Sequence, residues 1–428
     1  MSWHRVRATS VAVLLIVSGC VASPSSPEGT FGSPSPEASV GPTPTATETP
    51  DFGAFLEAGY YWSAVAAHSV GTVAITSSVL LTSDAEATAW TPVDLGEQAC
   101  PEALAANDSV VVAVGVGSGA CHAGGFSTPA AWISEDGRTW SSATLRDADA
   151  QGGAFSGVVA GPAGFVAWGN VGSISEAVTD PFVGALYAGV PWMSADGRSW
   201  APVVDQEPFA HSRVTRIVAG GPGYVALGEE VATTAPYRQV VWTSTDGQTW
   251  DRTDDGLPFE PRSDTGPPLD LGGADEHLVV WQWVDSGPAH VWESADGLTW
   301  QPMDELPMSA FGSVTAIRLL GDRFFAFGSQ VVAGAGISPP CTKDQVLARR
   351  CYYAAAIWMG NGWGGATTPD WELLPTSAIP ESDLVQAMLL TPGGYLAFGS
   401  LPDGPAAMWS SSDALTWTRQ PISLTEEL

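Results

Sequence analysis

The chain has 428 residues, with 46 acidic against 16 basic side chains and a formal net charge of −30. A surface so acidic is repelled by nucleic acid and by anionic lipid head groups, which excludes nucleic acid as a partner. Lys343 is the only lysine, so cationic chemistry rests almost wholly on arginine.

In chain order, residues 1–20 read first as an export leader of the bacterial lipoprotein kind. Arg5 and Arg7 give a basic start, Val11 to Val17 form a short apolar core, and Val17-Ser18-Gly19-Cys20 matches a lipobox. Cleavage before Cys20 and lipidation of its thiol are the expectation, which takes the net charge to −32 by removing two arginines. The apolar stretch is too short for a spanning helix. Residues 21–57 follow, dominated by Ser, Pro and Thr, and read as a disordered tether that buries nothing. In an extended form, thirty such residues reach about 90 Å at most. The expected location is therefore the extracytoplasmic face of the cell membrane, anchored through Cys20.

From there one phrase recurs. Trp132-Ile-Ser134-Glu-Asp136-Gly137-Arg-Thr139-Trp140 returns as Trp192 to Trp200, Trp242 to Trp250 and Trp292 to Trp300, and again as Trp409 to Trp417 with Ala414 for the glycine. Each phrase reads as strand, turn, strand. Asp-Gly accepts the positive φ that a tight turn needs, the Ser and Asp side chains can bond the turn's backbone, and the second Trp can cover it. Before each phrase lies an apolar hairpin broken by glycine, as in Ile217 to Gly228, Ile317 to Gly328 and Met388 to Gly399. Four short strands per repeat of about fifty residues describe a propeller blade.

The closing tryptophans count the blades. They are Trp90, Trp140, Trp200, Trp250, Trp300, Trp371 and Trp417, spaced by 50, 60, 50, 50, 71 and 46 residues. Residues 58–428 are thus expected to form an all-β, seven-bladed β-propeller of four-stranded antiparallel blades. The last blade is complete in itself, which permits closure by simple juxtaposition of the first and last blades; whether an N-terminal strand closes the ring is left open by the sequence.

The phrase resembles the Asp-box, or BNR, repeat of sialidases, sortilin-type receptors and photosystem assembly factors, with a turn one residue shorter. The resemblance implies the propeller and leaves the activity open, since proteins with this repeat do unrelated work. In that setting Asp136, Asp196, Asp246, Asp296 and Asp413, with Trp140, Trp200, Trp250, Trp300 and Trp417, are structural. Sialidases would further require an arginine triad beginning ahead of the first box. No Arg or Lys occurs between residues 8 and 137, so that activity is excluded.

Four cysteines remain after Cys20: Cys100, Cys121, Cys341 and Cys351. In an exported chain an even count implies disulfides, and proximity pairs Cys100 with Cys121 and Cys341 with Cys351, although other pairings are open. In a meander blade, the tight turns share one face and the long connections the other. The candidate binding surface lies on the second face, in the insertion from Gln330 to Tyr353. It gathers Lys343, Arg349, Arg350, Tyr352 and Tyr353, residue types that anchor interfaces. Acidic side chains on that face, Asp147, Asp149, Asp205, Glu207, Asp264, Asp304, Glu305 and Asp383, supply the alternative of a carbohydrate-active enzyme. No cofactor motif, metal-ligand spacing or catalytic residue stands out. The expectation is a monomeric binding or assembly module for an envelope protein or glycan.

Overall fold

The structure, a computed structural model, describes residues 62–424 apart from 70, 77, 78, 85, 86, 97, 119–127, 147–152, 170–189, 231–235, 264–268, 283–287, 309–311, 335, 336, 338, 340, 349, 362–369, 403 and 404. The expected leader and tether, with Cys20, lie outside the described residues.

Blade 4 shows how the sequence becomes a sheet. Its strands Ser212–Gly220, Gly223–Glu230, Gln239–Ser244 and Asp251–Thr253 lie side by side in sequence order, all antiparallel. The middle two are buried almost throughout. Their apolar residues therefore run continuously instead of alternating, because both faces of the sheet are covered. Seven such sheets make up the described chain. Their first strands are Trp62–His68, Cys100–Ala106, Phe155–Gly161, Ser212–Gly220, Asp270–Ala274, Ser313–Leu320 and Leu384–Thr391. Each lies beside the next, and the last lies beside the first. The seven sheets close a ring with these strands innermost, which is the expected seven-bladed propeller.

Six of the innermost strands carry a bulge at the same register, between Val214 and Arg216 in blade 4. In five of the six the bulged backbone approaches the second strand so closely that only glycine fits opposite it, while blade 1 has Thr76 at that position. A Cβ on Gly228 would lie 2.1 Å from the Arg213 carbonyl oxygen, and one on Gly328 would lie 2.0 Å from that of Ser313. This explains the glycine that ends the apolar hairpins of blades 2, 3, 4, 6 and 7.

Packing runs from blade to blade. Val112 and Val114 of blade 2 meet Phe165, Trp192 and Trp200 of blade 3, and Val166 and Met193 of blade 3 meet Tyr224, Trp242 and Trp250 of blade 4. Each large side chain so buried contributes about 1.5–3 kcal/mol. The Tyr224 hydroxyl adds a polar tie, donating to the Gly164 carbonyl at 3.0 Å and accepting from the Ala163 N–H at 3.1 Å.

Ring closure combines juxtaposition with a strand pairing. Blades 7 and 1 do pack directly, with Trp62 and Trp90 against Phe398 and Met408. In addition, the chain leaving blade 7 pairs in parallel with the outer strand of blade 1, Ser423 opposite Ala89 and Leu424 opposite Trp90. The same device links blades 2 and 3, where Thr144–Leu145 pairs with Ser199–Trp200. The seam is thus an ordinary blade-to-blade junction, and the outer strand keeps fewer free backbone groups.

Candidate binding site

The Ser-x-Asp-Gly turns lie against the first hairpin turns, on one face of the ring: a Cβ on Gly164 would come within 2.4 Å of the Ser194 carbonyl oxygen. Their polar groups are consumed locally. The Asp246 carboxylate accepts the backbone N–H groups of Gln248 and Thr249, both at 2.8 Å, and the Ser244 hydroxyl at 3.2 Å. The Ser244 oxygen in turn accepts the Gly247 N–H at 2.9 Å, and Trp250 Nε1 donates to the Gly247 carbonyl at 3.0 Å. Asp136, Asp196, Asp296 and Asp413 accept in the same way, and Trp140, Trp200, Trp300 and Trp417 close their turns at 3.0–3.1 Å. Burial opposes ionisation of Asp136, yet hydrogen bonds from the Thr139 and Arg138 N–H groups and the Ser134 and Thr139 hydroxyls outweigh it and hold its pKa at about 2. Asp246 and Asp413 are lowered chiefly by the N–H groups of Thr249 and Thr416. A carboxylate saturated in this way is a fixed anionic cap, poorly suited to move a proton.

Blade 6 breaks the pattern. Its middle strands, Arg323–Ala333 and Cys351–Asn361, are longer than those of the other blades. Pairing continues from Ser329↔Ala355, the equivalent of Glu229↔Gln239 in blade 4, through four more pairs to Ala333↔Cys351. At strand rise this adds about 13 Å. The two ends of the segment expected as a loop, 330–333 and 351–353, are therefore a ribbon continuing the blade. The Cys341–Cys351 disulfide clasps its end, beside a short helix, Lys343–Leu347, capped by Thr342 and Gln345. Val331, Cys341 and Cys351 form a small core with Ile337 and Val346.

This ribbon carries the expected binding residues, but divides them. Tyr352 is 54% exposed and Tyr353 47%. Successive strand residues face opposite ways, so the two rings present opposite sides of the ribbon, Tyr353 on the side of Cys351 and Val331. Lys343 and Arg350 are exposed, whereas Arg349 lies outside the described residues.

Most of the other described arginines on this face are already engaged, which spacing alone did not reveal. Glu229, 3% exposed, accepts from Arg213 at 2.5 Å and from Arg262 Nε and Nη2 at 2.9 Å each. The Arg262 guanidinium also lies 4.4 Å above the Tyr237 ring. Arg252 reaches Glu230 at 3.0 Å and the Ser212 hydroxyl at 2.9 Å, and Arg238 reaches Asp255 at 3.3 Å. The one sequence signal was Glu229-Glu230 ending an apolar strand.

The acidic candidates scatter. Asp205 accepts the Glu207 N–H at 3.1 Å, Glu305 lies 3.6 Å from His290 Nδ1, and Asp383 accepts the Ser400 hydroxyl at 2.7 Å. Asp304 is exposed, and Asp147, Asp149 and Asp264 lie outside the described residues. Among the described residues, no group of three His, Cys, Asp or Glu side chains is placed to hold a metal ion. Cys100 is disulfide-bonded, and Cys121 lies outside the described residues.

No family model matches the chain, and no curated protein matches it. Several solved structures do. The β-propeller domain of the Trilobed protease from Pyrococcus furiosus is 7% identical over 84% of this chain and 97% of that one, with a TM-score of 0.45. The six-bladed fucose-recognising lectin of Aleuria aurantia is 11% identical, covering 86% and 97%, at 0.39. A family 117 glycoside hydrolase from Zobellia galactanivorans is 10% identical, covering 51% and 71%, at 0.32. Similarity at this level assigns no activity. The architecture rests on the chain's own seven sheets.

Proposed function

We propose that this chain is a lipid-anchored, extracytoplasmic propeller of the Asp-box type that binds a partner protein of the cell envelope. The anchor is Cys20, residues 21–57 are the tether, and the ribbon of blade 6 is the contact surface. The observation that carries the reading is the ribbon itself. It continues a blade past its register, is held rigid by a disulfide and a capped helix turn, and exposes Tyr352, Tyr353, Arg350 and Lys343. A preorganised support lowers the entropy lost when such side chains bind. The repeated turns, by contrast, leave no carboxylate uncapped for chemistry.

A photo-crosslinking residue at position 353, in intact cells, tests the surface, with one at position 248 in the blade 4 turn as control. One envelope protein captured from position 353 alone, and lost in a Tyr352→Ala background, is the expected result. Equal capture from both positions, or none from either, overturns it, and a glycan bound in place of protein would redirect the reading to carbohydrate. Separately, Cys20→Ser should release the chain from the membrane fraction into the medium.

A further inference from the structure

The seven innermost strands carry five charged side chains: Glu102, Arg213, Arg216, Asp270 and Arg318. Arg213 is held by Glu229, and Glu102 has an interaction of its own. The other three come together across blades 4, 5 and 6. Arg216 and Asp270 occupy equivalent registers on adjacent strands, and the guanidinium donates to the carboxylate at 2.7 and 2.8 Å. Their side chains keep 34% and 24% exposure although both sit on the innermost strands, so the exposed portion faces the axial channel. Arg318 follows on the inner strand of blade 6, two register positions further down.

Arg318 has no carboxylate of its own. Among the described residues, its guanidinium donates one hydrogen bond, to the carbonyl of Ile317 at 2.9 Å, and makes no ion pair. Burial lowers its pKa to about 10, the charge of Arg216 lowers it as well, and Asp270 partly restores it. At the same register, the other inner strands carry Ala66, Ala105, Val159, Val218, Gly272 and Leu389, none of which can accept a hydrogen bond through its side chain. Two guanidinium groups therefore lie in the field of one carboxylate, which is ion-paired to Arg216, on the inner strands of a protein of net charge −30. A cation left unpaired away from bulk water is unfavourable, and the planar fork of arginine matches an oxyanion in two-point contact.

We propose that the axial channel is a binding site for one small oxyanion, a carboxylate or a phosphate, seated on Arg318 with Arg216 beside it. The site is independent of the blade 6 ribbon, so either reading can fail without the other. The anion supplies the negative charge that Arg318 lacks, while Asp270 keeps Arg216 oriented.

Isothermal titration of the full chain, at constant ionic strength in chloride, with inorganic phosphate and separately with acetate, tests the site. One-to-one binding of at least one of them is expected, and which one binds separates the two sources of the charge. Arg318→Met should weaken it by about tenfold or more, and Arg318→Lys, which keeps the charge and loses the fork, by less. The unliganded Arg318→Met chain should melt no lower than the wild type, because a half-buried cation with no carboxylate in ion-pair reach among the described residues has been removed. No binding beyond chloride, or equal binding by Arg318→Met, overturns the proposal. So does an Arg318→Met chain that fails to fold, which would make the guanidinium a structural partner.

Discussion

The turn of blade 4 and the ribbon of blade 6 are both strand–turn–strand units, and they differ in what they leave free. In the turn, Asp246, Ser244 and Thr249 satisfy one another and the backbone, and Trp250 caps the result. In the ribbon, strand pairing and the helix cap satisfy the backbone, the disulfide ties its end, and the side chains of Tyr352, Tyr353 and Arg350 remain exposed. A residue that recurs with the repeat serves the fold. A residue that appears once, on an element longer than the repeat requires, is where function is sought.

The sharpest way to break this contrast is to truncate one ring of each kind. Trp242 is fully buried, stacks on Phe209 at 5.4 Å, and donates through Nε1 to the Pro208 carbonyl at 2.7 Å. Trp242→Ala should destabilise the propeller by about 3–5 kcal/mol, from the cavity and the orphaned carbonyl. Tyr352→Ala should change stability by no more than about 0.5 kcal/mol. Urea unfolding followed by tryptophan fluorescence measures both. Comparable losses would mean that the ribbon is part of the fold.

Much of the fold was legible because each blade restates it. The seven closing tryptophans fixed the number and boundaries of the blades, and the local turn chemistry lies within nine residues. Closure was not legible. Two residues, Ser423 and Leu424, paired in parallel with Ala89 and Trp90, are too short to show any periodicity. The channel cluster was hidden for another reason: Arg216 and Asp270 are 54 residues apart, and only the ring sets their strands side by side. Aligning the repeats would have placed both at one register, and the charge in the otherwise apolar run Ala316 to Leu320 was a visible anomaly. The ribbon was read as a loop because its insertion masks the continued strand pairing, which only the register reveals.

A second test separates the two regions by pH. The turn carboxylates have folded pKa values below the ordinary range of an aspartate, reaching about 2 for Asp136. A lowered carboxylate adds stability that is fully present above its unfolded pKa and is lost as pH falls through the folded one. The unfolding midpoint should therefore hold down to about pH 4 and drop towards pH 2. Asp136→Asn should lower the plateau and flatten the acid limb, whereas Tyr353→Phe should leave the whole profile unchanged. A midpoint indifferent to pH between 4 and 2 would mean that the caps contribute nothing to the ring.

The smallest effect is also the most local. Gly137, Gly197, Gly247 and Gly297 take φ of 70–78°, and blade 7 places Ala414 at φ 62° in the same turn. A left-handed conformation strains a residue with a Cβ by about 1–2 kcal/mol, while glycine returns part of that difference through the freedom of the unfolded chain. Ala414→Gly should thus stabilise blade 7 by about 0.5–1 kcal/mol. The reverse change in blade 3, Gly197→Ala, meets a second obstacle, since its Cβ would lie 2.7 Å from Val112 Cγ2 and 3.0 Å from Ile133 Cδ1 in blade 2. It should therefore destabilise by more than the backbone strain alone. If Ala414→Gly proves neutral and Gly197→Ala equally mild, the turn's glycine is a matter of composition. If the two differ as stated, it serves both the turn and the seam between blades.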